Sequence, residues 1–315
     1  MLPEAVAYLL TASGFIRSEN MKKNRQERKE TLAACIFLAP NILGFIAITL
    51  LPVLASLFFS FTEWRLVDPP RFNGIANHLQ MLTDERFWMV MGNTLYFTIG
   101  TVPIGMALAL FFSLLLNQEI RGVYIYRAIF FMPVVSSVVA VTLLWRWLLA
   151  RDIGLIYYLL SLVGISPPDF LHSVFWPMPS VIVMSIWRGL GFNIVLFLAG
   201  LQGISRVYYE AAVIDGANSW QKLRYITIPL ISPTTFFIFV MSLISSFQVF
   251  DQVFILTAGG PAFRTTTIVY YIYLNGFVWF NMGYASAMAW VLFTLVLIVT
   301  LFQWKMQERW VFYEQ

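Results

Sequence analysis

Long apolar stretches separated by short polar segments make up most of this chain. A helix that crosses the hydrocarbon core of a bilayer needs about 20 apolar residues. The apolar stretches reach or approach this length and predict six membrane-spanning helices. Their expected extents are Thr31–Thr62, Phe87–Gln118, Ala128–Trp145, Ser180–Gln202, a fifth span that begins near Leu230, and a sixth at about Tyr284–Trp304.

The last apolar run, Thr265–Trp304, is too long for one helix. We therefore assign its first part, residues 265–280, to a re-entrant or interfacial segment and its second part to the sixth span. The predicted fold is an all-α membrane protein with six transmembrane helices.

The composition is that of a membrane protein. Of 315 residues, 59% are hydrophobic and 11% are charged, against roughly 45–50% and about 25% in soluble domains. The net charge of +4 does not indicate nucleic-acid binding, because the basic residues lie in short segments between apolar runs. Cys35 is the only cysteine, so no internal disulfide is possible, and its apolar surroundings in the sequence indicate a packing role.

Basic residues concentrate on one side of the six predicted spans, as expected when positive segments stay in the cytoplasm. We predict a multi-pass protein of the cytoplasmic (inner) membrane with both termini in the cytoplasm. Residues 1–30 and 305–315 are the predicted cytoplasmic ends, and residues 31–304 the transmembrane domain. The basic residues on the cytoplasmic side are Arg17, Lys22, Lys23, Arg25, Arg28, Lys29, Arg121, Arg127, Arg206, Lys222, Arg224, Lys305 and Arg309.

The first twenty residues make a poor signal peptide, because no basic residue precedes their apolar stretch and they include Glu4. The basic segment that starts at Met21 has the character of a protein start. Met1 and Met21 therefore both remain candidates for the initiator.

Residues 203–229 form a polar segment between the fourth and fifth predicted spans, on the cytoplasmic side. We expect a helix over Tyr208–Ile214 that stops at Asp215-Gly216, since glycine accepts the left-handed conformation. Asn218 or Ser219 can cap a second helix over Trp220–Ile226, which Pro229 would end. The segment is thus predicted to be a compact helical knob.

The knob contains an ordered series of residues: Glu210, Ala211, Ala212, Asp215, Gly216 and Ala217, then Trp220, Leu223, Ile226, Pro229 and Pro233. This series resembles the EAA loop of binding-protein-dependent permeases, the transmembrane subunits of ATP-binding-cassette (ABC) importers. The family often has phenylalanine in place of Leu223 and leucine in place of Ile228, and both differences keep the positions apolar.

Shorter similarities extend the resemblance from Phe37 to Trp304 and indicate the sugar-type branch, with its maltose, lactose and glycerol-phosphate permeases. They occur in the family's order along the chain. They are Phe59–Trp64, Phe72-Asn73-Gly74, Asn93-Thr94, Ala199–Gln202 and Gly259-Gly260-Pro261.

The resemblance implies a type I ABC importer permease fold and a transport subunit that is not itself an enzyme. It implies as partners a second permease subunit in a heterodimer, two cytosolic ABC ATPase subunits, and an extracytoplasmic binding protein that delivers a sugar or polyol phosphate. ATP and Mg²⁺ are expected at the ATPase subunits, since this chain lacks the G-x-x-x-x-G-K-[ST] phosphate loop. No cofactor, catalytic residue or metal site is expected on the chain itself.

The knob is expected to dock in a cleft of an ATPase subunit. Its small residues Ala211, Ala212 and Gly216 would allow close backbone approach. Leu223 and Ile226, three residues apart on one helix face, would supply apolar area, and Glu210 a charge to pair.

Polar and aromatic residues within the fourth and fifth spans are candidates for the substrate pathway, because sugars are bound by hydrogen bonds and stacked rings. Ordinary interhelical hydrogen bonds are an equally open interpretation for the small polar ones. The candidates are Trp187, Arg188, Asn193, Ser245, Ser246, Gln248 and Asp251.

Two other classes of function remain as alternatives. An integral-membrane enzyme needs clustered acidic or histidine side chains, yet the two histidines, His78 and His172, are far apart in the sequence. An ion-coupled carrier favours buried carboxylates, and only Asp251 qualifies. Asp251 either pairs with Arg188 to close an outer gate or lies separately at a solvated rim.

Overall fold

The computed structural model of the protein describes residues 30–118 and 122–312, with no side-chain description at 309 and 310. Most of the predicted N-terminal segment, both candidate initiators, Arg121 and the last three residues lie outside the described residues. The described residues form two compact bodies, one that ends at Phe58 and one that begins at Phe59.

The described residues of the first body lie in one apolar helix. Helix α1, Glu30–Ser60, includes a π-helical turn at Phe45–Leu50 and ends two residues inside the second body. Its most apolar stretch has a mean hydropathy of 2.5 and no buried residue. Such a helix is typical of a membrane span, whose surroundings are lipid or other subunits.

The second body contains a short hairpin and the remaining helices. Strand β1, Thr62–Glu63, pairs antiparallel with β2, Arg71–Phe72. The helices are α2 Ala76–Thr83, α3 Glu85–Leu116, α4 Val123–Val135, α5 Val138–Leu148, α6 Leu155–Leu162, α7 Pro177–Gly203, α8 Arg206–Ile214, α9 Ser219–Leu230, α10 Ser232–Phe247, α11 Asp251–Leu256, α12 Ile268–Val278 and α13 Met282–Trp310.

Helices α3 and α7 form the centre of this body, with α4 packed on α7 and α10 on α3. In the described part of the chain, four helices are long and apolar enough to span a membrane, and the number is six if each of two bent helix pairs counts as one span. The prediction of six spans is therefore confirmed.

The third predicted span, Ala128–Trp145, is wrong as a single helix. Helices α4 and α5 meet at an angle of 100°. Ser136, with φ −72° and ψ 147°, is extended and ends α4 three residues after Pro133. The proline lacks the N–H that would continue the helix, and the extended serine turns the chain.

The fifth span is also bent, by 63° between α9 and α10. Pro229 was expected to end the second knob helix, but α9 continues through Leu230. A π-helical turn, Leu223–Thr227, precedes the proline and changes the hydrogen-bond register. The bend lies at Ile231, which is fully buried.

Residues 265–280, predicted not to span the membrane, contain the short helix α12. Side chains of α3 hold it in place: Asn93 donates to the Phe263 and Thr266 carbonyls (2.7 and 3.1 Å), and Thr94 accepts the Ile268 N–H (2.9 Å). A re-entrant or interfacial position for α12 stays a prediction.

The N-terminal end of α3 is joined to α12 and α13 by one carboxylate. Asp84 accepts hydrogen bonds from the hydroxyls of Tyr271 and Tyr284 at 3.0 and 2.8 Å. It also caps α3 by accepting the Arg86 N–H. The three helices are thereby fixed at one end of the body.

Candidate functional site

A cavity of about 500 Å³ lies where α3, α7 and the junction of α10 with α11 meet. Val134, at the end of α4, closes part of it. Small-molecule sites in proteins have volumes of roughly 300–1,000 Å³. The cavity is therefore large enough for a small ligand or for part of a longer one.

One wall of the cavity is a broken helix. Helix α10 ends at Phe247 and α11 begins at Asp251. Between them Phe250 leaves helical geometry, with φ −135° and ψ −62°. Within a membrane such a break is tolerated where it lines a cavity, because the freed backbone groups need polar partners or water. The break thus favours a ligand site over a lipid-facing surface.

Six of the seven residues predicted for the substrate pathway line this cavity. Trp187 does not: its ring lies 5.7 Å from the ring of Trp145, outside the cavity. The Ser246 hydroxyl donates to the Leu243 carbonyl (2.8 Å), so it is satisfied within its own helix. The six lining residues are Arg188, Asn193, Ser245, Ser246, Gln248 and Asp251.

Thr101 and Ser185 also line the cavity, and sequence reasoning missed them. Their hydroxyls are buried without a hydrogen-bond partner, as is the Nε of Arg188. Their spacing in the sequence could have identified them. Thr101 precedes Gly105 by four residues and Ser185 precedes Gly189 by four, so each pair shares one helix face. All four residues face the cavity.

Three residues that line the cavity each have a buried polar atom without a hydrogen-bond partner, which is costly for the folded chain alone. A buried donor or acceptor without a partner costs about 1–3 kcal/mol. Thr101 and Ser185 can each donate and accept, whereas Arg188 only donates. This set fits a ligand that carries several hydroxyl groups or other oxygen atoms.

Arg188 and Asp251 face the same cavity, but they form no ion pair in this conformation. The direct pairing that the sequence suggested is therefore absent here. Asp251 is exposed and Arg188 is partly buried, and the two opposite charges interact at a distance across the cavity.

We expect Asp251→Asn and Arg188→Gln each to slow transport, and the double variant to lose less than the sum in log rate. The expected coupling is about 0.5–3 kcal/mol, typical of residues that share a cavity. Initial uptake rates at equal membrane levels measure it. Trp187 lies outside the cavity, so the effects of Asp251→Asn and Trp187→Leu on the log uptake rate should add. If the effects of Asp251→Asn and Arg188→Gln also add, the two charges are not coupled.

The helical knob, residues 203–229, is a second candidate site. Its turn is a Schellman motif: the Ala217 N–H donates to the Ala212 carbonyl (2.8 Å) and the Gly216 N–H to the Val213 carbonyl (3.1 Å). Gly216 has φ +77°, the left-handed conformation expected from the sequence.

Asn218, one of the two predicted caps, begins α9 with a capping box. Its side chain accepts the Gln221 N–H at 2.9 Å, and the Gln221 side chain accepts the Asn218 N–H at 2.8 Å. The Tyr209 and Thr227 hydroxyls, 2.9 Å apart, join α8 to α9. These bonds make the knob a defined structure.

The exposed apolar side chains of the knob differ from those expected to dock. Leu223 and Ile226 are partly buried, and so are Ala212 and Ala217. The most exposed large apolar or aromatic side chains of the knob are Ile214 at 86%, Tyr225 at 71%, and Trp220 and Val207 at 67% each. The remaining expected docking residues are exposed or partly buried: Glu210, Ala211, Asp215 and Gly216 are exposed, and Pro229 is partly buried.

Known proteins resemble this chain over most of its length. The family described as binding-protein-dependent transport system inner membrane component matches residues 101–311. The probable ABC transporter permease protein YesP of Bacillus subtilis is 38% identical and covers 94% of this chain and 97% of its own length. The lactose transport system permease protein LacF of Rhizobium radiobacter is 34% identical over 85% of this chain and 91% of LacF.

A solved structure shares the fold. It is a bacterial alginate ABC transporter in complex with an alginate pentasaccharide-bound periplasmic protein, and one of its chains aligns with a TM-score of 0.80. That chain is 25% identical, and the alignment covers 90% of the present chain and 96% of the other. The chain described here belongs to the family of binding-protein-dependent transport system inner membrane components, the permease subunits of ABC transporters.

Proposed function

We propose that this permease carries a sugar or a related polyol or sugar phosphate through the cavity between α3, α7 and α10. The observation that carries the proposal is the set of unpartnered polar atoms of Thr101, Ser185 and Arg188 beside a broken helix. The hydroxyl-rich surface of a sugar complements these groups. The lactose permease among the relatives supports the same substrate class.

The proposed assembly has a second permease subunit, two cytosolic ABC ATPases and an extracytoplasmic binding protein. The alginate transporter, solved with a periplasmic protein bound, supports the last of these. ATP and Mg²⁺ would bind at the ATPase subunits, with no cofactor on this chain. The knob, with its exposed Ile214 and Trp220, is the proposed ATPase contact.

In this proposal the knob and both termini lie on the cytoplasmic side of the inner membrane. The positive-inside distribution of basic residues supports the orientation. Closure of the ATPase subunits on ATP would then shift the permease between inward-facing and outward-facing states, as a change of populations driven by nucleotide.

The test is reconstitution of the purified complex in proteoliposomes. A binding protein whose gene neighbours that of the permease is first screened against sugars for thermal stabilisation, which identifies the ligand. We expect ATP-dependent uptake of that sugar, and ATPase activity that requires both the cassette subunits and the loaded binding protein. Uptake driven by a proton or sodium gradient without ATP would instead establish an ion-coupled carrier.

A further inference from the structure

A group of aromatic rings begins at the cavity and leads away from it. Phe250 lines the cavity and lies in the helix break. Its ring centroid is 5.3 Å from that of Tyr273 and 5.4 Å from that of Phe254. Tyr273 in turn stacks on Phe277 at 5.7 Å. The rings thus form a connected path from α11 to α12.

The rings become more exposed along this path. Phe250 and Tyr273 are partly buried, whereas Phe254 is 42% and Phe277 is 60% exposed. The buried Tyr270 packs against two of these rings, with centroid distances of 5.8 Å to Phe250 and 5.7 Å to Phe254. The path therefore has a supported inner end at the cavity and an open outer end.

The chemistry of the path and of the cavity is complementary. Aromatic faces pack against the C–H faces of sugar rings, and a tyrosine adds a hydroxyl at the edge of an apolar ring. The cavity supplies hydrogen-bonding groups in Arg188, Asn193 and Gln248. A ligand that touches both surfaces has apolar faces and hydroxyl groups repeated along its length.

The geometry points to a carbohydrate-binding track, formed by Phe250, Phe254, Tyr273 and Phe277, that makes this permease selective for oligosaccharides. The inference rests on the proposed function as a sugar permease. The cavity, at about 500 Å³, holds the leading part of the chain, and the following sugar units lie on the exposed rings. A disaccharide needs the cavity alone.

The experiment compares uptake of short and long sugars in proteoliposomes that contain the whole transporter and its binding protein. The probes are maltose with maltopentaose and arabinobiose with arabinopentaose, and the series that stabilises the binding protein is used. Tyr273→Leu and Phe277→Leu remove single rings of the track. Tyr273→Phe keeps the ring, and Phe293→Leu replaces a phenylalanine of α13 that is 55% exposed and has no ring contact with the track.

We expect the wild-type transporter to carry both sugars. Each leucine variant should slow pentasaccharide uptake about fivefold to tenfold, which corresponds to the free energy of one or two aromatic contacts. Each should slow disaccharide uptake less than about twofold. Tyr273→Phe, which keeps the ring, should slow pentasaccharide uptake less than Tyr273→Leu does, and Phe293→Leu should match the wild type with both sugars.

Three results would refute the track. The leucine variants could slow uptake of both sugars equally, they could slow neither, or the wild-type transporter could carry only the disaccharide. Each of them leaves the sugar permease assignment intact. Failure of the wild-type complex to import any sugar with ATP would refute the proposed function itself. Basal ATPase activity and the amount of assembled complex, measured for every variant, separate loss of the track from misfolding.

Discussion

Gly191→Ala is expected to slow transport strongly by forcing α4 away from α7. A Cβ atom at this position would lie 2.0 Å from the Phe130 carbonyl oxygen and 2.7 Å from its carbon. Both are backbone atoms, so no side-chain rotation relieves the clash. Overpacking of this kind typically costs about 1–3 kcal/mol, and contact with backbone belongs at the upper end.

The displacement would reach the cavity, since Val134 lies one turn beyond Phe130 on the same helix and lines it. We expect uptake to fall more than about tenfold and the detergent-purified complex to melt at a lower temperature. Gly203→Ala, on the same helix but with no atom within 4 Å of the added Cβ, is the matched control. Equal behaviour of the two variants would show that the close approach is unimportant.

Gly216→Pro is expected to disconnect the permease from its ATPase while leaving the cavity intact. Proline fixes φ near −65°, whereas Gly216 has φ +77° and donates its N–H to Val213. The Schellman turn cannot form, so the exposed side chains of α8 and α9 lose their relative positions. Co-purification of the ATPase should fall at least about tenfold, which corresponds to about 1.4 kcal/mol.

Ser205→Pro places the same residue in the same segment at a position that accepts it. Ser205 precedes the first residue of α8 and has φ −60° and ψ 133°, a conformation that proline adopts without strain. This variant should recruit the ATPase and transport normally. Ala212→Glu, which adds a charge at a partly buried position of the knob, should behave like Gly216→Pro. Normal ATPase recruitment by both Gly216→Pro and Ala212→Glu would exclude the coupling role.

Local rules in the sequence predicted the knob turn well. The left-handed glycine and the asparagine cap depend on a few neighbouring residues, and both are present in the structure. The predicted end of α9 was wrong. The rule for Pro229 assumed α-helical hydrogen bonds, whereas a π-helical turn precedes the proline. Side-chain exposure in the knob depends on the packing of α8 against α9, which spacing along one helix does not reveal.

Only some of the residues that line the cavity could be predicted from the sequence. A charge or an amide inside an apolar span, such as Arg188 or Gln248, is conspicuous and expected to face away from lipid. Threonine and serine are common in membrane helices, so Thr101 and Ser185 were not distinguished. The sharp bend after α4 depends on Ser136 as well as on Pro133, and proline alone does not fix an angle.

The bend at Ile231 has a mechanical consequence. Helix α10 has 16 residues and is therefore about 24 Å long. Its far end carries Gln248 and the helix break, and its near end continues directly into α9 of the knob. A rotation of about 5° about the buried Ile231 would displace Gln248 by about 2 Å over this length. The two helices thus have the geometry of a lever, with the proposed ATPase contact on the short arm and the proposed substrate cavity at the end of the long one.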